Sequence, residues 1–209
     1  MATTISGTAG VTFPAGGLGN PAGAVVGTTD TQTLTNKTLS TGLVMGVSAI
    51  TSGTVVASTS GTAIDFTGIP SWVKRITVMF SAVSTNSTGY FQIQLGTTSS
   101  IEITGYTGAS GAMINAASSS VINISTGFGI YNGGAAYNIY GNAVITLLDP
   151  ATNLWCYSFS GANGNTANVL TAGGTKALAS TLTRIKIIAS ATGSASDTFD
   201  LGSINILYE

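Results

Sequence analysis

Asp197 and Asp200 lie three residues apart, and with Asp65, Glu102 and Asp149 they supply the acids that acid–base chemistry would draw on in the apolar part of the chain. Glycoside hydrolysis needs two carboxyl groups facing each other across the scissile bond. No spacing here makes any pair face, and a glycosidase cleft would bring more acids and more than two Trp. Ser71-Trp72-Val73-Lys74 has the spacing by which a lysine activates a serine, a chemistry that needs both side chains on one helical turn. Pro70 and the strand-like run from Arg75 argue for a turn instead, with Trp72 as a plug in the core. Gly17-Leu18-Gly19-Asn20-Pro21-Ala22 fits a dinucleotide fingerprint in letters only, because Pro21 and the glycines around it prevent the helix whose N-terminus would hold pyrophosphate. The chain has no His, which removes the usual neutral-pH general base and the commonest metal ligand. No catalytic residue, cofactor site or metal site is therefore expected, and the protein reads as a non-enzyme.

Composition narrows the function further. Charged residues make up 6% of the 209 residues where about 25% is usual, and the net charge is −1. With no basic field to displace counterions, nucleic acid is not an expected partner. Ser and Thr together number 57 and Gly 28, so the surface is expected to be one of hydroxyls and amides. The mean hydropathy is +0.42. Even so, Gly, Ser, Thr and Asn interrupt every apolar stretch well short of the ~18 residues a membrane helix needs, so no membrane insertion is expected. Cys156 is the single cysteine, so no intrachain disulfide is available. The start, MATTISGTAG, lacks the basic and apolar regions of a secretory signal, so folding in a cytoplasm is expected and the sequons at Asn36, Asn86 and Asn123 carry no weight.

The elements that would position any site change character near residue 46. Residues 1–45 are a low-complexity mixture of Thr, Gly, Ala and Asn with two charges, Asp30 and Lys37, and read as an extended attachment or short stalk segment. Residues 46–209 show short β-branched and aromatic runs between Gly, Asn and Ser clusters, the pattern of an all-β, antiparallel β-sandwich of jelly-roll type. Alternation is clearest over Arg75 to Val83, where Ile76, Val78, Phe80 and Ala82 share a face. The run Tyr90 to Leu95 is expected to pair with it as a hairpin. Further strands are expected at Ala63 to Phe66, Ile101 to Ile103, Val121 to Ile124, Val144 to Leu148, Leu154 to Phe159, Leu182 to Ala189 and Ile204 to Tyr208. Arg184 and Lys186 should face solvent, and a bulge near Gly202 should reconcile Phe199 and Leu201 with Ile204, Ile206 and Tyr208.

The Gly127 to Asn142 segment sets Phe128, Tyr131, Tyr137 and Tyr140 among Gly and Asn, a composition suited to recognition loops, with Asn163-Gly164-Asn165 as a second exposed tip. Tyr131, Tyr137, Tyr140, Asn163 and Asn165 are the candidate surface-recognition residues, and a host-surface glycan is a ligand such rings could stack on. The same tyrosines would serve equally as packing groups.

Three stretches resemble tailed-bacteriophage fibre proteins: TLTNKTL at Thr33 to Leu39, GTAIDFTGIPSWVKRITVMF at Gly61 to Phe80, and DTFDLGSINILYE at Asp197 to Glu209, about a fifth of the chain. The resemblance implies a structural virion component, usually a homotrimer. Its N-terminal segment would attach to other virion proteins of tail, neck or capsid, and its β-sandwich would face outward for host attachment. It hands over no receptor residues. The expectation is a tail-fibre-like protein; the alternatives are a non-adhesive head decoration or neck fibre, and a glycan-degrading tailspike-like enzyme.

Overall fold

A computed structural model describes residues 4–6, 10–12, 50–114, 118–135, 137–190 and 196–209. The chain divides into two units, Met1–Met45 and Gly46–Glu209. In the first, β1 (Thr4–Ser6) and β2 (Gly10–Thr12) pair antiparallel with Ile5 opposite Val11. Apart from that pair, the attachment segment, the GLGNPA stretch and TLTNKTL lie outside the described residues.

The second unit is all-β, with no α-helix among its described residues. Its strands are β3 (Thr51–Ser52), β4 (Val56–Ala57), β5 (Ala63–Thr67), β6 (Arg75–Thr85), β7 (Phe91–Gly96), β8 (Tyr106–Ile114), β9 (Ser118–Ile122), β10 (Phe128–Ile130), β11 (Ile139–Asp149), β12 (Leu154–Asn163), β13 (Asn168–Ala177), β14 (Arg184–Ile188) and β15 (Phe199–Tyr208). A large sheet runs β3-β15-β6-β11-β12-β13-β8-β9, with β4 also paired to β15, and a small sheet runs β10-β7-β14-β5. All pairings are antiparallel. The antiparallel sandwich expected from the spacing of the apolar runs is the fold that forms.

Alternation explains the core. Ile76, Val78 and Phe80 of β6, Ala143 and Ile145 of β11, and Trp155, Tyr157 and Phe159 of β12 turn inward from the large sheet. Ile64 and Phe66 of β5, Phe91, Ile93 and Leu95 of β7, and Ile185 and Ile187 of β14 meet them from the small one. Phe128 of β10 stacks on Tyr157 at 4.5 Å between centroids and meets Tyr106 edge-on at 5.0 Å. Arg184 and Lys186 stand half-exposed on the outer face of the small sheet, Arg184 donating to the Asp65 carboxylate at 3.1 Å.

Five expectations need correction. β6 and β7 do not form a hairpin: β6 lies between β15 and β11 in the large sheet, and β7 lies between β10 and β14 in the small one, so the intervening loop crosses the sandwich. Alternation shows that a strand is half-buried but not which strand lies beside it. Ala82 is not a core position. It sits at φ 54 opposite Gly202 at φ 92, and this double irregularity shifts the parity so that Val83 is buried. The expected bulge is thus at Gly202, but Leu201 is 45% exposed, because the β15–β6 register slips on both sides of it. Ile101–Ile103 supplies one bridge, Ile101 to Gly96, and no strand. Trp72 is no core plug: it is 53% exposed in the turn after Pro70, while Trp155 is the buried indole at 2%.

Candidate functional site

Five of the six acids among the described residues engage partners of their own. Glu102 pairs with Lys176 and accepts the Ala179 N–H at 2.8 Å. Asp65 pairs with Arg184, and Glu209 with Arg75. Asp149 caps its own turn, accepting from the Ala151 N–H at 2.8 Å and the Thr152 hydroxyl at 2.7 Å, bonds that lower its pKa. Asp200 takes the Ser84 hydroxyl, and Asp197 is buried against Gly89. Among the described residues, no three His, Cys, Asp or Glu side chains gather as a metal site. Ser71 and Trp72 form a turn, and the Lys74 N–H donates to the Glu209 carbonyl at the start of β6, so the helical turn a Ser–Lys pair needs is missing.

The five recognition candidates separate into two groups. Tyr131 and Asn163 are buried, at 7% and 2%, which corrects their assignment to the surface. Tyr131 directly follows β10, its ring lies 5.3 Å from that of Tyr90, and its N–H donates to Ser110 Oγ at 2.9 Å. Asn163 ends β12 and faces Asn168 across the turn. Beside them Asn132, wholly buried, ties the loops together by donating from Nδ2 to Thr85 Oγ1 at 3.2 Å and to the Gly89 carbonyl at 3.2 Å. Composition alone could not separate these groups, since a buried Tyr or Asn has the same letters as an exposed one.

Tyr140 and Asn165 come together at the surface, while Tyr137, half-exposed two residues before β11, packs its ring over Gly134. The Gly164 N–H donates to the Asn138 carbonyl at 2.9 Å and the Asn138 N–H donates to Asn165 Oδ1 at 3.1 Å, so the β12–β13 turn is laced to the segment leading into β11. Tyr140 is 43% exposed and lies over Gly164, where a Cβ would come within 2.5 Å of its Cε2. Glycine at that position therefore lets the ring rest on the turn backbone.

Register extends this tip across the sheet. Tyr140 opposes Ala162, Ala162 opposes Val169, and Val169 opposes Met113 on the outer face of the large sheet. Met113 and Val169 are 60% and 51% exposed, and Val121 on β9 is 72% exposed. Sequence reading missed these residues, although Val169 and Met113 alternate with the buried Leu170 and Ala112. The three following rows, from Gly111–Thr171–Ser160–Asn142 to Thr107–Thr175–Cys156–Thr146, contain no charged side chain. Across β8, β13, β12 and β11 the outer face thus carries small, hydroxyl and apolar groups, with Tyr140 at one end and Arg75 of β6, opposite Thr146, at the other.

No protein-family model matches the chain, and neither curated proteins nor solved structures yield a match.

Proposed function

We propose that this is a non-enzymatic virion fibre protein of a tailed bacteriophage. Residues 1–45 would attach it to the particle, and the sandwich would be displayed for contact with the host surface, as a homotrimer. The observation that carries the reading is the Tyr140–Asn165 tip, held on the long strands β11, β12 and β13 and continuous with small, hydroxyl and apolar groups on the outer face of β8, β13, β12 and β11. Rigid strands presenting Tyr and Asn at a turn limit the ordering cost of contact. The three stretches that resemble phage fibre proteins and the change of composition near residue 46 support it independently. A glycosidase would need two carboxyl groups facing each other, whereas Glu102, Asp65 and Asp149 are each engaged with a different partner.

Purified full-length protein added to host cells should compete with particle adsorption, and the Tyr140→Ala, Asn165→Ala double variant should compete less. Light scattering should give three times the 20.8 kDa chain mass. Deleting residues 1–45 should leave the sandwich folded and abolish incorporation into particles. A monomer mass would remove the trimer from this reading, and equal incorporation of the deletion would remove the attachment role. A trimer that incorporates normally but never slows adsorption would point to a neck or head ornament.

A further inference from the structure

Between the free edge of β5 and the β4–β15 edge of the large sheet lies a groove of about 280 Å³ lined by Thr54, Val56, Asp65, Thr67, Ile206 and Tyr208 among others. It stands at the other end of the large sheet from the tip: Tyr208 pairs with Ile76 at the start of β6, whereas the tip adjoins Ile139, which pairs with Val83. Three features bear on what this groove could hold.

The first is Trp72. Its ring centroid is 6.0 Å from that of Tyr208, which lines the groove, yet Trp72 is 53% exposed. Trp72 adjoins the groove through Tyr208 and is not itself part of the lining; the two rings, tilted at 49° to each other, present large, rigid apolar faces beside it. The second is the edge of β5. The Ala189 N–H donates to the Thr62 carbonyl, so by strand alternation Thr62, Ile64 and Phe66 turn their backbone groups towards β14. The N–H and C=O of Asp65 and Thr67 are thereby directed to the groove side. The third is charge: the acid in the lining, Asp65, is neutralised by Arg184, so the groove carries no unbalanced charge to select an ion.

We propose that this groove is a binding site for a neutral pyranose, one ring of a surface saccharide. Its hydroxyls would meet the Asp65 and Thr67 backbone groups and the Thr54 and Thr67 hydroxyls, and its C–H face would meet the Tyr208–Trp72 pair. The volume is near the lower bound of ordinary small-ligand pockets, about 300 Å³, which suits a single ring. An added peptide strand fits less well, since the free edge offers three residues, Ala63, Asp65 and Thr67, before Gly68 turns the chain at φ 73, and Ala63 is not part of the groove lining. The assignment goes beyond the tip reading and holds whether or not the protein belongs to a virion.

The test uses the isolated full-length chain, with D-glucose, D-galactose and N-acetyl-D-glucosamine titrated singly at millimolar concentration while tryptophan emission and backbone amide shifts are followed. At least one sugar should quench or blue-shift the emission saturably and move the amides of Gly53, Thr67 and Gly68. Trp72→Ala should weaken that binding about tenfold while Trp72→Phe retains most of it, a difference of about 1.4 kcal/mol. Since Trp72 is largely outside the core, both variants should unfold at the wild-type temperature. No saturable response to any of the three sugars overturns the proposal, as does binding unchanged by Trp72→Ala. A response of the same amides to an extended Thr-Val heptapeptide, without a response to sugar, reassigns the groove to strand addition and overturns it equally.

Discussion

The Lys176 ammonium lies against the Glu102 carboxylate with the two side chains only 7% and 19% exposed, and 5.5 Å from the centre of the Tyr106 ring. The Tyr106 hydroxyl donates to the Glu102 carbonyl at 3.0 Å and accepts the Leu95 N–H at 2.7 Å. A loop segment, the start of β8 and the end of β13 are thus fastened at one point.

Removing one partner of this pair should strand the other. Glu102→Gln is expected to cost about 3 kcal/mol, because Lys176 then keeps a buried charge without its counter-ion. The Glu102→Leu, Lys176→Met double variant should cost clearly less than Glu102→Gln alone. Urea denaturation of the three proteins checks this, and a double variant worse than the single would remove the explanation.

Stability should decline in alkali. Burial holds the Tyr157 hydroxyl well above its ordinary 10.0. Burial also raises Tyr106; the Leu95 N–H opposes that shift and the nearby Glu102 charge adds to it. In the unfolded chain both ionise near 10, while in the folded protein they stay neutral, so the unfolded state loses protons first. Stability is therefore whole below about pH 10 and falls as pH rises from there through the folded values. Urea midpoints between pH 8 and pH 11, flat and then descending, would show it. Tyr106→Phe should lessen the descent.

Gly202 and Gly68 should respond differently to alanine. Both have positive φ, 92 and 73, but a Cβ at Gly202 would lie 2.4 Å from the Ala82 carbonyl oxygen, whereas at Gly68 nothing lies within 4 Å. Gly68→Ala should cost about 1 kcal/mol from backbone strain alone. Gly202→Ala should cost roughly 3 kcal/mol or more, since backbone must also move. Thermal midpoints of the two variants measured side by side provide the comparison.

Asn132→Ala should cost about 2–3 kcal/mol, because Thr85 Oγ1 and the carbonyls of Ser87 and Gly89 lose a buried donor together. Amide exchange should quicken around residues 85–89 before it does in β11 or β12. Uniform quickening across the sandwich would argue against a local brace.

Where side chains alternate strongly, as in β5, β6 and β12, the strands were legible from the letters, because half-burial imposes a period of two. β8 and β13 were not. Their sequences, YTGASGAMI and NVLTAGGTKA, are rich in Gly and small residues, and they are strands because each pairs along its length with a neighbour, Gly108 coming opposite Gly174. Such strands take their conformation from tertiary pairing rather than from propensity. The tip was legible in part for the same reason. Tyr140 and Asn165 lie where composition suggested, but the inward turn of Tyr131 and Asn163 depends on strand parity and on Asn132, neither of which a count of Tyr and Asn contains. The groove beside Trp72 was not legible at all, because it exists only where two strand edges from different sheets approach.

β3 runs beside β15, with Thr51 opposite Tyr208, so the first and last strands of the second unit are neighbours. In a variant lacking residues 1–49, a short glycine–serine tether from Glu209 to Ile50 would make the backbone a closed loop, free to be opened afresh at the exposed Thr98–Ser99 turn. The order in which a ribosome would deliver these strands is then a convention of the gene rather than a requirement of the architecture, and a circularly permuted version should reach the same fold.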